Sequence, residues 1–98
     1  MDQKLASLVL AQLSKIEVRL EPGDSVLVQP TIAGMRVENP MDIIPGYDWE
    51  QIHNCLVSLA RHGYIGTGQL SDPEVSVGIY FSGITPAGRR LMSSRAAS

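Results

Sequence analysis

Two histidines, one cysteine and a cluster of amide, hydroxyl and charged side chains between residues 48 and 62 are the parts of this chain with chemistry to offer. His53 and His62 stand nine positions apart. At about 100° per residue a helix sends them to opposite faces, so they cannot share a metal. Cys55 and His62 share a face on the same helix but sit roughly 10 Å apart along its axis. No His or Cys spacing suited to zinc or an iron–sulfur cluster occurs, and no metal or other cofactor is expected. Cys55 falls at the edge of an apolar stripe, where a thiol reads as a small core residue before it reads as a nucleophile. Gly66-Thr67-Gly68 is not a phosphate loop, because it follows a helix pattern and lies inside a strand pattern; glycines there permit a bulge or close backbone approach. No paired carboxylates or Ser/His/Asp set stand out, so an enzyme is not expected.

With Ile52 set inward, Glu50, Asn54, Val57 and Arg61 point away from the core of such a helix. Ser58 lies beside them, and Gln51 and His53 occupy opposite flanks. Side chains of these types could read base edges in a major groove, Gln51 and Asn54 pairing with adenine and Arg61 with guanine or a phosphate. A merely solvated helix face has the same composition, and both readings stand at this point. Trp49, near the inner edge, fits a core position and a partner anchor equally well.

Three helices and a few strands must position these residues. Residues 3–20 read as an amphipathic helix, with Leu5, Leu8, Val9, Leu13, Ile16 and Leu20 at spacings of three and four. Asp2 can cap its start, and Glu21-Pro22-Gly23-Asp24 ends it. The following stretch is broken by Pro22, Gly23, Pro30, Gly34, Pro40, Pro45 and Gly46, so no long helix fits. Residues 25–29 predict a short strand, residues 35–38 a weaker one, and residues 39–42 a single helical turn with Asn39 as cap and Pro40 at its first position. Asp48 then caps a second long helix, with Gln51 as reciprocal partner and Tyr47 stapling onto Ile52. Ile52, Leu56, Leu59 and Ala60 form its buried stripe, and Gly63 is its left-handed stop. Residues 64–70 and 75–84 predict two strands joined by Ser71-Asp72-Pro73-Glu74. Within the second, Val75, Val77, Ile79 and Phe81 alternate with Ser76, Gly78, Tyr80 and Ser82. Thr85-Pro86 opens a last helix through Leu91 and Met92, and residues 92–98 predict a frayed tail.

The chain has 98 residues, 44% apolar and 18% charged, with eight basic against ten acidic side chains. That suits one domain over residues 1–98, burying roughly two-thirds of its unfolded surface. A lone cysteine makes no internal disulfide, which fits a cytoplasmic setting. There is no apolar run of about 18 residues, so no membrane span is expected. Met1-Asp2-Gln3-Lys4 lacks the layout of a signal peptide, which argues against secretion.

Two local sequences carry a resemblance. Leu56-Val57-Ser58-Leu59-Ala60-Arg61-His62-Gly63-Tyr64-Ile65 is similar to the end of a recognition helix leading into the wing of MarR-, PadR- or ArsR-type regulators. Ile84-Thr85-Pro86-Ala87-Gly88-Arg89-Arg90-Leu91 is similar to the start of the helix after the wing. Residues 44–65 also resemble short bacterial and phage winged-helix proteins of unknown function. The resemblance implies an α+β winged helix: a three-helix core, a C-terminal-side β-hairpin wing and a short additional strand. It departs from the usual pattern in allowing at most one turn for the helix that braces a recognition helix against DNA.

Such a fold implies DNA binding and transcription regulation, with Glu50, Gln51, Asn54, Val57, Ser58 and Arg61 as the contact set. Charge pulls the other way. From Asp48 to Ile84, Arg61 is the only Lys or Arg against Asp48, Glu50, Asp72 and Glu74, a formal −3. DNA readers neutralise several phosphates with Lys and Arg. Arg89, Arg90 and Arg95 could form a basic patch on the last helix, though such runs are commonly solvated faces. The first expectation is therefore a DNA-binding regulator. The alternative is a protein-binding module, such as a phage or mobile-element accessory or inhibitor protein, using an acidic helix–wing surface with Val57 and Tyr80 available for contact. Apolar residues left over on the first and last helices (Leu10, Leu91, Met92) fit either a homodimer or packing of these residues on each other.

Overall fold

The computed structural model describes residues 2–31, 33–34, 36–37, 39–42, 44–67 and 78–96. It is an α+β arrangement of three helices and a three-stranded antiparallel sheet: α1 (Gln3–Glu17), β1 (Val26–Val28), α2 (Trp49–Arg61), β2 (Ile65–Thr67), β3 (Ile79–Ile84) and α3 (Pro86–Ala96). The expected turn at residues 71–74 and the outer parts of both hairpin strands lie outside the described residues.

β3 is the central strand. Val26, Leu27 and Val28 face Phe81, Tyr80 and Ile79 on one side, and Ile65 and Gly66 face Ile84 and Gly83 on the other. The register shifts between Gly66 and Thr67, which is the irregularity expected of that glycine-rich strand. Period-two alternation buries Ile79 and Phe81 and leaves Tyr80 and Ser82 on the solvent face, and it breaks at Gly83 (φ 136°), after which Ile84 is buried.

α1 begins where Asp2 accepts the Lys4 and Leu5 amides. It ends at Glu17, earlier than residue 20. Arg19 and Leu20 donate to the carbonyls of Ile16 and Glu17 instead, the tighter spacing of a closing turn. Its buried face is wider than the expected stripe: Leu5, Ala6, Val9, Leu10, Leu13 and Ile16 are buried, while Leu8 is partly exposed. The cause is that α1 packs on α2, β3 and α3 together, so more than one stripe is covered. Leu10 is thus core, not a surface residue, and Leu91 and Met92 are half-buried against the same core.

Residues 39–42 do not form the expected helical turn. Pro40 bridges Gln29, with the Gln29 amide donating to the Asn39 carbonyl and the Met41 amide to the Gln29 carbonyl. Met41 is wholly buried, and the Asp42 carboxylate accepts from both the Thr31 amide and its hydroxyl. Tertiary pairing of the backbone and burial of Met41 outweigh the weak Asn-Pro helix signal. Arg36 and Val37 lie outside any strand; Met35 and Glu38, the ends of the expected weaker strand, are not among the described residues.

The two motifs that carried the resemblance meet in space. Gly63 takes the left-handed conformation (φ 75°) and ends α2. The Thr85 hydroxyl donates to the Gly63 carbonyl and accepts from the Gly88 amide, and the Thr85 amide donates to the Tyr64 carbonyl. A Cβ at Gly88 would overlap the Tyr64 carbonyl oxygen, so glycine lets α3 sit directly on the turn after α2. Helical backbone continues to Ala96, beyond the tail expected from residue 92.

Candidate functional site

α2 is set by its first turn. Asp48 accepts the Gln51 amide at 2.9 Å, and Gln51 Oε1 accepts the Asp48 amide at 3.0 Å, closing a capping box. Tyr47 packs half-buried against the core ahead of it. Ile52, Cys55, Leu56 and Leu59 turn inward; Ala60 is only half-buried, and Cys55 takes the remaining place in the stripe.

Of the expected contact set, Glu50, Gln51, Asn54 and Arg61 are exposed, and Val57 and Ser58 are half-buried. The face is thus continuous and polar, with an apolar step at Val57. Gln51 Oε1 is already engaged in the cap, which leaves its amide nitrogen for outside contacts. Trp49 is half-buried against the core, its ring 5.7 Å from that of His53 and tilted by 55°. Tyr80 is exposed on β3.

A cleft the sequence did not announce opens beside this face. Asp2, Leu5, Tyr47, Gln51, Asn54, Cys55 and Ser58 line a pocket of about 250 Å³ between α1 and α2. Tyr47 donates its hydroxyl to Asp2 Oδ2 over a long 3.4 Å. Desolvation first, and then the Asp2 carboxylate, raise the Tyr47 phenol above its ordinary pKa. Cys55 lies buried beside the cleft, and desolvation with a smaller contribution from Asp2 pushes its thiol up to about 11. A protonated, buried thiol is a poor nucleophile. The sequence marked Asp2 and Tyr47 only as capping and stapling residues; their meeting required α1 and α2 to pack start to start.

Of the arginines expected as a basic patch on α3, Arg89 has an acidic partner. Arg89 pairs with the Glu17 carboxylate, whose other oxygen accepts the Ile84 amide. Arg90 is exposed, and the side chain of Arg95 is not among those described. Among the described residues no three His, Cys, Asp or Glu side chains gather as a metal site, and no helix is long and apolar enough to cross a membrane. In comparisons with known proteins, no family model, curated protein or solved structure matches this chain.

Proposed function

We propose that this chain is a non-enzymatic winged-helix module that binds a protein partner through the outward face of α2. The observation that carries this reading is the charge around that face. Exposed Glu50 lies on it, exposed Asp48 caps its start and Asp2 lines the adjoining cleft, while Arg61 is the single Lys or Arg of α2. A phosphate backbone docked there would meet mainly carboxylates, whereas a basic or amide-rich protein surface would be complementary. Two further features support it. The described residues between β1 and α2 include no helix to brace α2 on a duplex. Arg89, a candidate phosphate contact, is engaged by Glu17.

DNA binding is the second reading, favoured by the order helix, strand, helix, paired strands, helix and by the outward Gln51, Asn54 and Arg61. Fluorescence anisotropy with random-sequence duplex at about 50 mM salt, where phosphate contacts are strongest, separates the two. The protein reading expects no saturable binding there, and a discrete protein adduct when a photocrosslinking residue replaces Asn54 in cells. Saturable duplex binding that Arg61→Ala abolishes would transfer α2 to DNA.

A further inference from the structure

A second pocket, at the opposite end of α1 from the α2 cleft, has a different chemistry. It encloses about 400 Å³ between the end of α1, β1 and the segment that follows β1. That volume lies in the range of small-ligand sites. Buried Ile16 and half-buried Leu20 and Val26 form an apolar floor that packs on the main core. Exposed Arg19 and Arg36 line it from two separate segments, and half-buried Asn39 adds a carboxamide. No Asp or Glu is among the described lining residues, and neither arginine has an ion pair among the described residues. Two guanidinium groups with no acidic partner among the described residues, beside apolar side chains, are the reverse of the α2 face.

We infer that this pocket binds a small carboxylate carrying a short alkyl or aryl body. The carboxylate would take charge-assisted, bidentate hydrogen bonds from Arg19 and Arg36, which a guanidinium provides and an ammonium does not. The body would lie over Leu20 and Val26, whose half-exposed apolar surface gains from leaving water, with buried Ile16 beneath them. Neither half suffices: a bare anion leaves the floor wet, and a neutral chain leaves the arginines unused. No residue of this site belongs to α2, so its fate is independent of the function proposed above.

The test is an NMR titration of the full chain with three probes: hexanoate, 1-hexanol and acetate. Saturable shifts confined to the amides around Val26, Val37 and Asn39 are expected with hexanoate. Binding should be at least about fivefold tighter for hexanoate than for either other probe, because only it uses both halves of the site. Arg19→Ala and Arg36→Ala should each weaken hexanoate at least about threefold, and Arg19→Lys should fall between alanine and the parent, since it keeps the charge but loses the fork. The same spectra show whether each variant keeps its fold. Equal affinity for hexanoate and hexanol, shifts centred elsewhere, no saturation with hexanoate, or indifference to both alanine substitutions would each overturn the assignment.

Discussion

Cys55 shows how far position alone sets reactivity. Its thiol would be an ordinary nucleophile on a surface, yet here burial beside Leu56 and Leu59 removes the water that a thiolate needs. With the pKa raised from 9.0 to about 11, the folded chain holds a proton between those values that the unfolded chain has released. Stability should therefore decline as pH rises through that window, and should be insensitive to this group below it. At about pH 8 the thiolate fraction is about a hundredfold below that of an exposed cysteine. Iodoacetamide should accordingly modify the native protein at least that much more slowly than the urea-unfolded chain, with equal rates contradicting the placement. This much was legible from the residue's place at the edge of an apolar stripe. The part played by Asp2 was not, because the two stand 53 positions apart in sequence.

At the level of elements, one carboxylate ties the C-terminal end of α1 to the last strand and helix. Glu17 accepts the Ile84 amide with one oxygen and the Arg89 guanidinium with the other. The two bonds differ in consequence. Glu17 is largely covered, whereas Arg89 is 62% exposed, and exposed ion pairs contribute little. Removing the acceptor of a partly buried amide is worse, at about 1–3 kcal/mol. Urea denaturation should therefore show Glu17→Ala losing about 1–3 kcal/mol and Arg89→Ala less than about 1 kcal/mol. Equal losses would mean that the ion pair, not the backbone bond, is what matters. The capping box of α2, the Gly63 stop and the Thr85 cap could all be read from sequence because each closes within a few residues. The segment around Pro40 could not, since its hydrogen bonds go to Gln29 and its apolar anchor, Met41, is buried by distant elements.

For the whole molecule, the apolar residues that pointed to a homodimer are spent internally. Leu10 is fully buried, and Leu91 and Met92 pack on the core. The large apolar side chains left exposed among the described residues are Leu8, Val18 and Tyr80, on two helix-side positions and the outer sheet face rather than in one patch. Light scattering after size exclusion should give the monomer mass of 10.6 kDa; a stable mass of twice that would show that another surface associates. The sequence by itself determined the starts of the three helices, the stop of α2 at Gly63, the inward face of α2, the alternation of β3 as far as Ser82 and the acidic balance from Asp48 to Ile84. These depend on periodicity, on caps within one turn and on formal charge, all of which are local or additive. Tertiary structure alone decided which leucines of α1 are covered, that Arg89 is engaged by Glu17, that Asp2 meets Tyr47 beside Asn54, and that Arg19 and Arg36 share a pocket. Each of those joins positions far apart in the chain, and no local preference encodes a distance that only packing of the common core sets.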